Sequence, residues 1–153
     1  MSAPPRILST PYVDPTPMPA NVPHVDEVGT TSAPLKSLAF FIGQHCAPYN
    51  EDFMLCKAES TDPAHCLKEG RRVTRCTQDL ISKMKASCKE VLEAHYECLE
   101  RSNHTYYMCR PQEKLLNECA FEKFKFKKVI PGTPEGEVPV HERAKPMYKP
   151  HQR

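Results

Sequence analysis

Cys46–Cys76 reads CAPYNEDFMLCKAESTDPAHCLKEGRRVTRC, with cysteines at 46, 56, 66 and 76. Nine residues separate Cys46 from Cys56, and nine separate Cys66 from Cys76. Further along, Cys88 and Cys98, then Cys109 and Cys119, repeat the same gap. Ten residues of α-helix rise about 15 Å and bring the second thiol back to within roughly 80° of the first. Both thiols of a pair therefore share one broad helix face. Two such helices placed antiparallel bring their cysteines together as two rungs, at the 4.4–6.8 Å Cα spacing that a disulfide needs. Eight cysteines allow 105 pairings. Antiparallel hairpins select one: Cys46–Cys76 and Cys56–Cys66, then Cys88–Cys119 and Cys98–Cys109.

Composition sets off the ends from the middle. Of 16 prolines, eight precede residue 35 and five follow residue 130. The expected organisation is all-α: an extended proline-rich arm over residues 1–30, and a first helical hairpin with a preceding helix over 31–86. A second hairpin over 87–128 and an extended proline-rich tail over 129–153 complete it. Neither hairpin can bury much apolar surface alone, and cross-links are the usual remedy at this size, each contributing about 2–4 kcal/mol.

Local signals place the helices. Thr31 or Ser32 suits an N-cap with Pro34 in the first turn. Leu35, Leu38, Ala39 and Ile42 follow at helical spacing. Gly43 and Pro48 predict a break around Cys46. Asp62-Pro63 predicts the start of the next helix. Cys76, Leu80, Met84, Cys88 and Leu92 then recur at steps of four, so the second and third helices are expected to run nearly continuously. Pro111 is expected to kink the last helix or move its start.

Several function classes lose support. No apolar run approaches the roughly 20 residues of a membrane span. The start MSAPPRILSTPYVDPTP has neither the apolar stretch of a signal peptide nor the repeated arginines of a mitochondrial presequence. Disulfides nevertheless call for an oxidising compartment, and the mitochondrial intermembrane space resolves that tension. The chain's net charge is +2. The basic tail is too sparse for nucleic acid. Structural zinc sites pair ligands two to four residues apart. His45 beside Cys46 and His65 beside Cys66 would diverge by about 100° on a helix, so no metal site is expected. Copper delivery and thiol oxidoreduction lack a Cys-Cys or C-x-x-C pair. His95 and His104 read as helix-surface residues rather than catalysts. Tyr49, Phe53, Tyr106, Phe121 and Phe124 read as core or partner surface. No catalytic residue and no cofactor site is expected.

The residues also carry a resemblance. DEV at Asp26–Val28, SAPLKSLAFFIGQHC at Ser32–Cys46, and FMLCKAESTDPAHCLKEGRRVTRC at Phe53–Cys76 resemble the PGIV-type, double twin-C-x9-C (coiled-coil-helix-coiled-coil-helix) accessory subunit of mitochondrial respiratory complex I. The resemblance covers about two thirds of the chain, with all eight cysteines in the family's order. It implies a non-catalytic subunit on the intermembrane-space face of the inner membrane, bracing membrane-arm subunits, with no transmembrane segment of its own. It also implies oxidation by the intermembrane-space disulfide relay during import. Phe53 beside Cys56 is the candidate docking patch, against the plainer reading that Phe53 only packs the hairpin. The alternatives are a respiratory-chain assembly factor or metallochaperone, and a soluble redox carrier.

Overall fold

In the computed structural model, residues 15–17 and 19–143 are described. Five α-helices carry the chain: α1 (Ser32–His45), α2 (Ala47–Glu59), α3 (Leu67–Ser87), α4 (Lys89–Arg101) and α5 (Arg110–Phe124), with a 3-10 turn at Tyr106–Cys109 before α5. The described residues contain no strand.

Each break has a local cause. Thr31 is extended at the head of α1, and Cys46 leaves helical geometry between α1 and α2. Pro48 falls in the first turn of α2, where its missing N–H costs no ladder bond. The predicted start at Asp62-Pro63 is displaced to Leu67. Ser60 Oγ accepts from the Asp62 N–H at 3.2 Å, and Asp62 Oδ1 accepts from the Ala64 N–H at 3.0 Å. These bonds hold a turn, because the chain must reverse there to carry Cys66 back opposite Cys56. Between α3 and α4 the interruption is one residue. Cys88 departs to φ −131°, ψ 33°, yet its N–H still reaches Met84 O at 2.8 Å and its carbonyl accepts from Leu92 N at 3.0 Å. The two helices thus meet at a hydrogen-bonded kink. After α4 the chain turns through Asn103 and His104, both at positive φ. Pro111 marks the first turn of α5.

The hydrophobic core lies where α1 crosses both hairpins. Leu38 and Phe41 of α1 meet Leu80, Ile81 and Met84 of α3, Leu92 of α4, and Leu116 and Ala120 of α5. Leu80, Met84, Cys88 and Leu92, spaced by four, are all buried there. In contrast, α2 buries none of its residues. The α2–α3 hairpin is therefore held chiefly by its cross-links, and the α4–α5 hairpin by cross-links and core together.

Where they are described, the segments on either side of the helices are tied to the helical body. Glu27 O accepts from Gln78 Nε2 at 2.7 Å, and Asp26 lies 3.9 Å from Arg71, so the chain before α1 rests on α3. After α5 the backbone reverses at Lys125 (φ 57°). Lys128, just before the expected tail, is buried; the tail itself makes turns at Gly132 and Gly136, both at positive φ, and buries His141. The remainder of both expected arms, residues 1–14, 18 and 144–153, lies outside the described residues.

Candidate functional site

Four disulfides form the ladder. Cys46 is joined to Cys76, Cys56 to Cys66, Cys88 to Cys119 and Cys98 to Cys109, with Cα–Cα distances of 6.0, 6.0, 6.1 and 5.9 Å. No cysteine is free. In this state no sulfur is available as a thiolate, the form that attacks disulfides or binds soft metals.

Phe53 is half-buried against α3. A Cβ at Gly70 would come within 3.3 Å of its ring, so the missing side chain is what admits the phenyl group. Lys57 Nζ sits 5.6 Å from the Phe53 ring centroid. Phe53, Val25, Lys57, Pro63, Leu67 and Val73 line a mostly apolar hollow of about 350 Å³. Cys56 is half-buried, and its disulfide partner Cys66 lines the hollow. Met54 and Leu55, the intervening residues, are 65% and 67% exposed. On the other hairpin Tyr107, Met108 and Leu115 are exposed too. Large apolar side chains on both hairpins therefore face outward.

The aromatic residues singled out in the sequence divide. Tyr49 is exposed. Phe121 meets Phe41 edge-on at 6.2 Å, and Phe124 stacks on Phe126 at 5.4 Å, both at the margin of the core. Tyr106 donates its hydroxyl to the Lys36 carbonyl and has Lys36 and Arg110 over its ring at 5.3 and 5.8 Å.

Two expectations about histidines are corrected. His95 is not on the helix surface; it is fully buried. Its Nδ1 lies 2.7 Å from Ser37 Oγ of α1. Burial pushes its pKa down to about 4, Lys128 and Arg110 adding to the fall and Glu113 opposing it. His104 sits in the reversal after α4, with φ 58°. His65 does not diverge from the cysteines, because it lies in the turn before α3 and not on a helix. His45 faces Phe126 at 5.6 Å.

A buried ionic cluster stands beside Tyr106. Glu113 of α5 is fully buried and accepts from Arg110 on one oxygen and from Lys128 Nζ at 2.5 Å on the other. Lys128 also reaches Asn117 Oδ1 at 3.5 Å and lies 4.9 Å from the Phe40 ring centroid. Burial lowers the Lys128 pKa, against the hydrogen bond and charge of Glu113 that raise it. Burial lowers His141 too, with Lys128 the next largest influence. Burial, with Glu113, pushes the Tyr106 hydroxyl up to about 12. The cluster fastens the tail to α5. Through Tyr106 and His95 it continues to α1. The Arg110–Glu113 half was visible as an i, i+3 pair. The Lys128 half was not, since it depends on the chain reversing at Lys125.

Known proteins share this chain's sequence widely. No protein-family model matches it. It is 47% identical over 137 residues, 88% of this chain and 75% of the relative, to the NADH-ubiquinone oxidoreductase 20.8 kDa subunit of Neurospora crassa. It is 35% identical over 93 residues, 61% of this chain and 82% of the relative, to NADH dehydrogenase (ubiquinone) 1 alpha subcomplex subunit 8-A of Arabidopsis thaliana. With subunit 8-B of the same plant it shares 33% over 102 residues, 65% of this chain and 92% of the relative. A double disulfide hairpin with these relatives at this coverage belongs to the family of the NADH-ubiquinone oxidoreductase 20.8 kDa and alpha subcomplex 8 subunits.

Proposed function

We propose that this chain is an accessory subunit of mitochondrial NADH:ubiquinone oxidoreductase, without an active site of its own. It sits on the intermembrane-space face and braces the membrane arm. The observation that carries the sidedness is the ladder: all eight cysteines are cross-linked, a state that belongs to an oxidising compartment. No helix among the described residues is long and apolar enough to cross a membrane, so attachment falls to exposed side chains. Met54 and Leu55 on one hairpin and Tyr107, Met108 and Leu115 on the other are the apolar surface for it. As working units we take 1–30 and 129–153 as the flanking segments, and 31–86 and 87–128 as the two hairpin regions. Phe53 and Cys56 serve as the docking pair for the disulfide relay that closes the ladder on import.

Sidedness is tested with a membrane-impermeant amine label on mitochondria before and after osmotic rupture of the outer membrane. The chain should become labelled on rupture while the inner membrane stays closed. Labelling only after the inner membrane is lysed would overturn the placement. An assembly factor would instead be missing from the mature complex.

A further inference from the structure

Three of the four rungs have no compact group of ligand atoms beside them. Cys98 and Cys109 face Ser102 Oγ at 3.9 and 3.6 Å. Cys119 faces the Ser87 carbonyl at 3.8 Å. Cys46 has His45 next in sequence, but that ring is turned to Phe126. The rung at the α2–α3 turn differs. Ligand atoms of Cys56, His65 and Cys66 all lie within 4.8 Å of one another, the one such group among the described residues. Glu69 Oε2 is 3.9 Å from Cys56 Sγ, and Glu59 Oε2 is 3.8 Å from His65 Nε2.

We propose that this rung, when its two cysteines are thiols, is a divalent metal site of the zinc class. Cys56 and Cys66 supply thiolates, His65 a ring nitrogen and Glu69 a carboxylate oxygen. A tetrahedral zinc with Zn–S bonds near 2.3 Å holds two sulfurs about 3.8 Å apart, which a Cα–Cα distance of 6.0 Å accommodates with rotamer changes alone. Separating the two sulfurs to seat the ion is therefore compatible with this Cα spacing. The site opens into a hollow of about 430 Å³ lined by Asp52, Leu55, Cys56, Glu59, His65 and Glu69. Its acidic side chains favour a cation; Arg72, 4.0 Å from Asp52, partly offsets them. Opening this rung leaves the hydrophobic core in place, because α2 buries no residue, and Cys46–Cys76 still staples the hairpin.

The chemistry balances simply. A phosphine reduces the disulfide with one water, giving phosphine oxide and two thiols. The incoming M²⁺ then displaces two protons to form the dithiolate. A disulfide oxidant reverses this: it takes up two electrons, the S–S bond closes, and the ion leaves. Metal occupancy and ladder closure are thus mutually exclusive at this rung.

The test uses the full-length oxidised protein, opened anaerobically with a water-soluble phosphine, and Co²⁺ as probe. Alkylation and mass mapping identify which rungs are open, and Co²⁺ binding is read with Cys56–Cys66 open and the other three rungs closed; if this rung opens only together with the others, the proposal fails. We expect one Co²⁺ per chain, with thiolate-to-cobalt charge-transfer absorption and tetrahedral d–d bands, displaced by Zn²⁺. Cys56→Ser with Cys66→Ser should abolish the bands, and Cys98→Ser with Cys109→Ser should leave them unchanged. His65→Ala and Glu69→Gln, which keep every disulfide of the resting protein, should each weaken Co²⁺ binding at least about tenfold. The proposal is overturned if no bands form with Cys56 and Cys66 mapped as thiols. Bands that survive loss of those two cysteines, or ignore His65→Ala, overturn it as well.

Discussion

Replacing Glu113 by alanine probes the cluster that ties the tail, α5 and α1 together. Glu113 and Lys128 have side chains only 1% exposed. Deleting the carboxylate leaves the Lys128 ammonium buried, with Asn117 Oδ1 at 3.5 Å as its remaining hydrogen-bond acceptor. Arg110 is better placed, since its side chain is 13% exposed and can turn to water. Breaking a buried ion pair from one side typically destabilises by about 3–5 kcal/mol. For a body of this size, each kcal/mol lowers Tm by roughly 4–8 °C, so Glu113→Ala should melt at least about 12 °C lower. The assay is thermal and urea unfolding followed by circular dichroism, with all four disulfides intact. The matched double variant, Glu113→Leu with Lys128→Met, removes both charges and should recover most of the loss, because buried pairs replaced by apolar side chains are often neutral in cost. A single variant within about 1 kcal/mol of wild type, below the usual range for such a break, would refute the reasoning. A double variant as unstable as the single would refute it equally.

His95 makes stability depend on pH. Its folded pKa of about 4 lies below the ordinary 6.5, so above pH 6.5 it is neutral in both states and contributes no slope. Between pH 6.5 and 4 only the unfolded chain takes up the proton, and stability falls by about 3 kcal/mol; urea midpoints across that range should show the fall, and His95→Gln should flatten it. The charges of Glu113, Lys128 and Arg110 act on this ring, so an unchanged slope in His95→Gln would assign the dependence to other groups. Phe53→Ser should reduce mixed-disulfide formation with the relay in an import assay; unchanged capture with only lower folded stability would make Phe53 a packing residue. Deleting residues 1–25 spares the Asp26 and Glu27 contacts with α3, so the hairpins should stay folded while assembled complex falls. Activity per assembled complex should stay near normal; full assembly with slowed electron transfer would contradict a bracing role.

The residues explain what could be read early. A regular gap between thiols fixes a helix face, so the hairpins followed from spacing alone. The steps of four from Leu80 to Leu92 fixed which face α3 and α4 bury. His95 was legible and misread: it stands three residues after Leu92 and four before Leu99, on the very stripe α4 buries. Asp62 misled because its side chain can cap a helix or close a turn, and only the tertiary need to return Cys66 to Cys56 chooses between them. The convergence of His65 with two cysteines followed from that same turn. Lys128 had no sequence signal, since its partner lies 15 residues back across a left-handed reversal.

The central claim is that this chain is a standing part of the oxidoreductase. Native electrophoresis of mildly solubilised mitochondria, stained for NADH dehydrogenase activity and probed for this chain, tests it most directly. The account predicts that the chain runs with the active complex and stays there in its fully oxidised, four-disulfide form. A chain found only as a small free species, away from every active band, would contradict it.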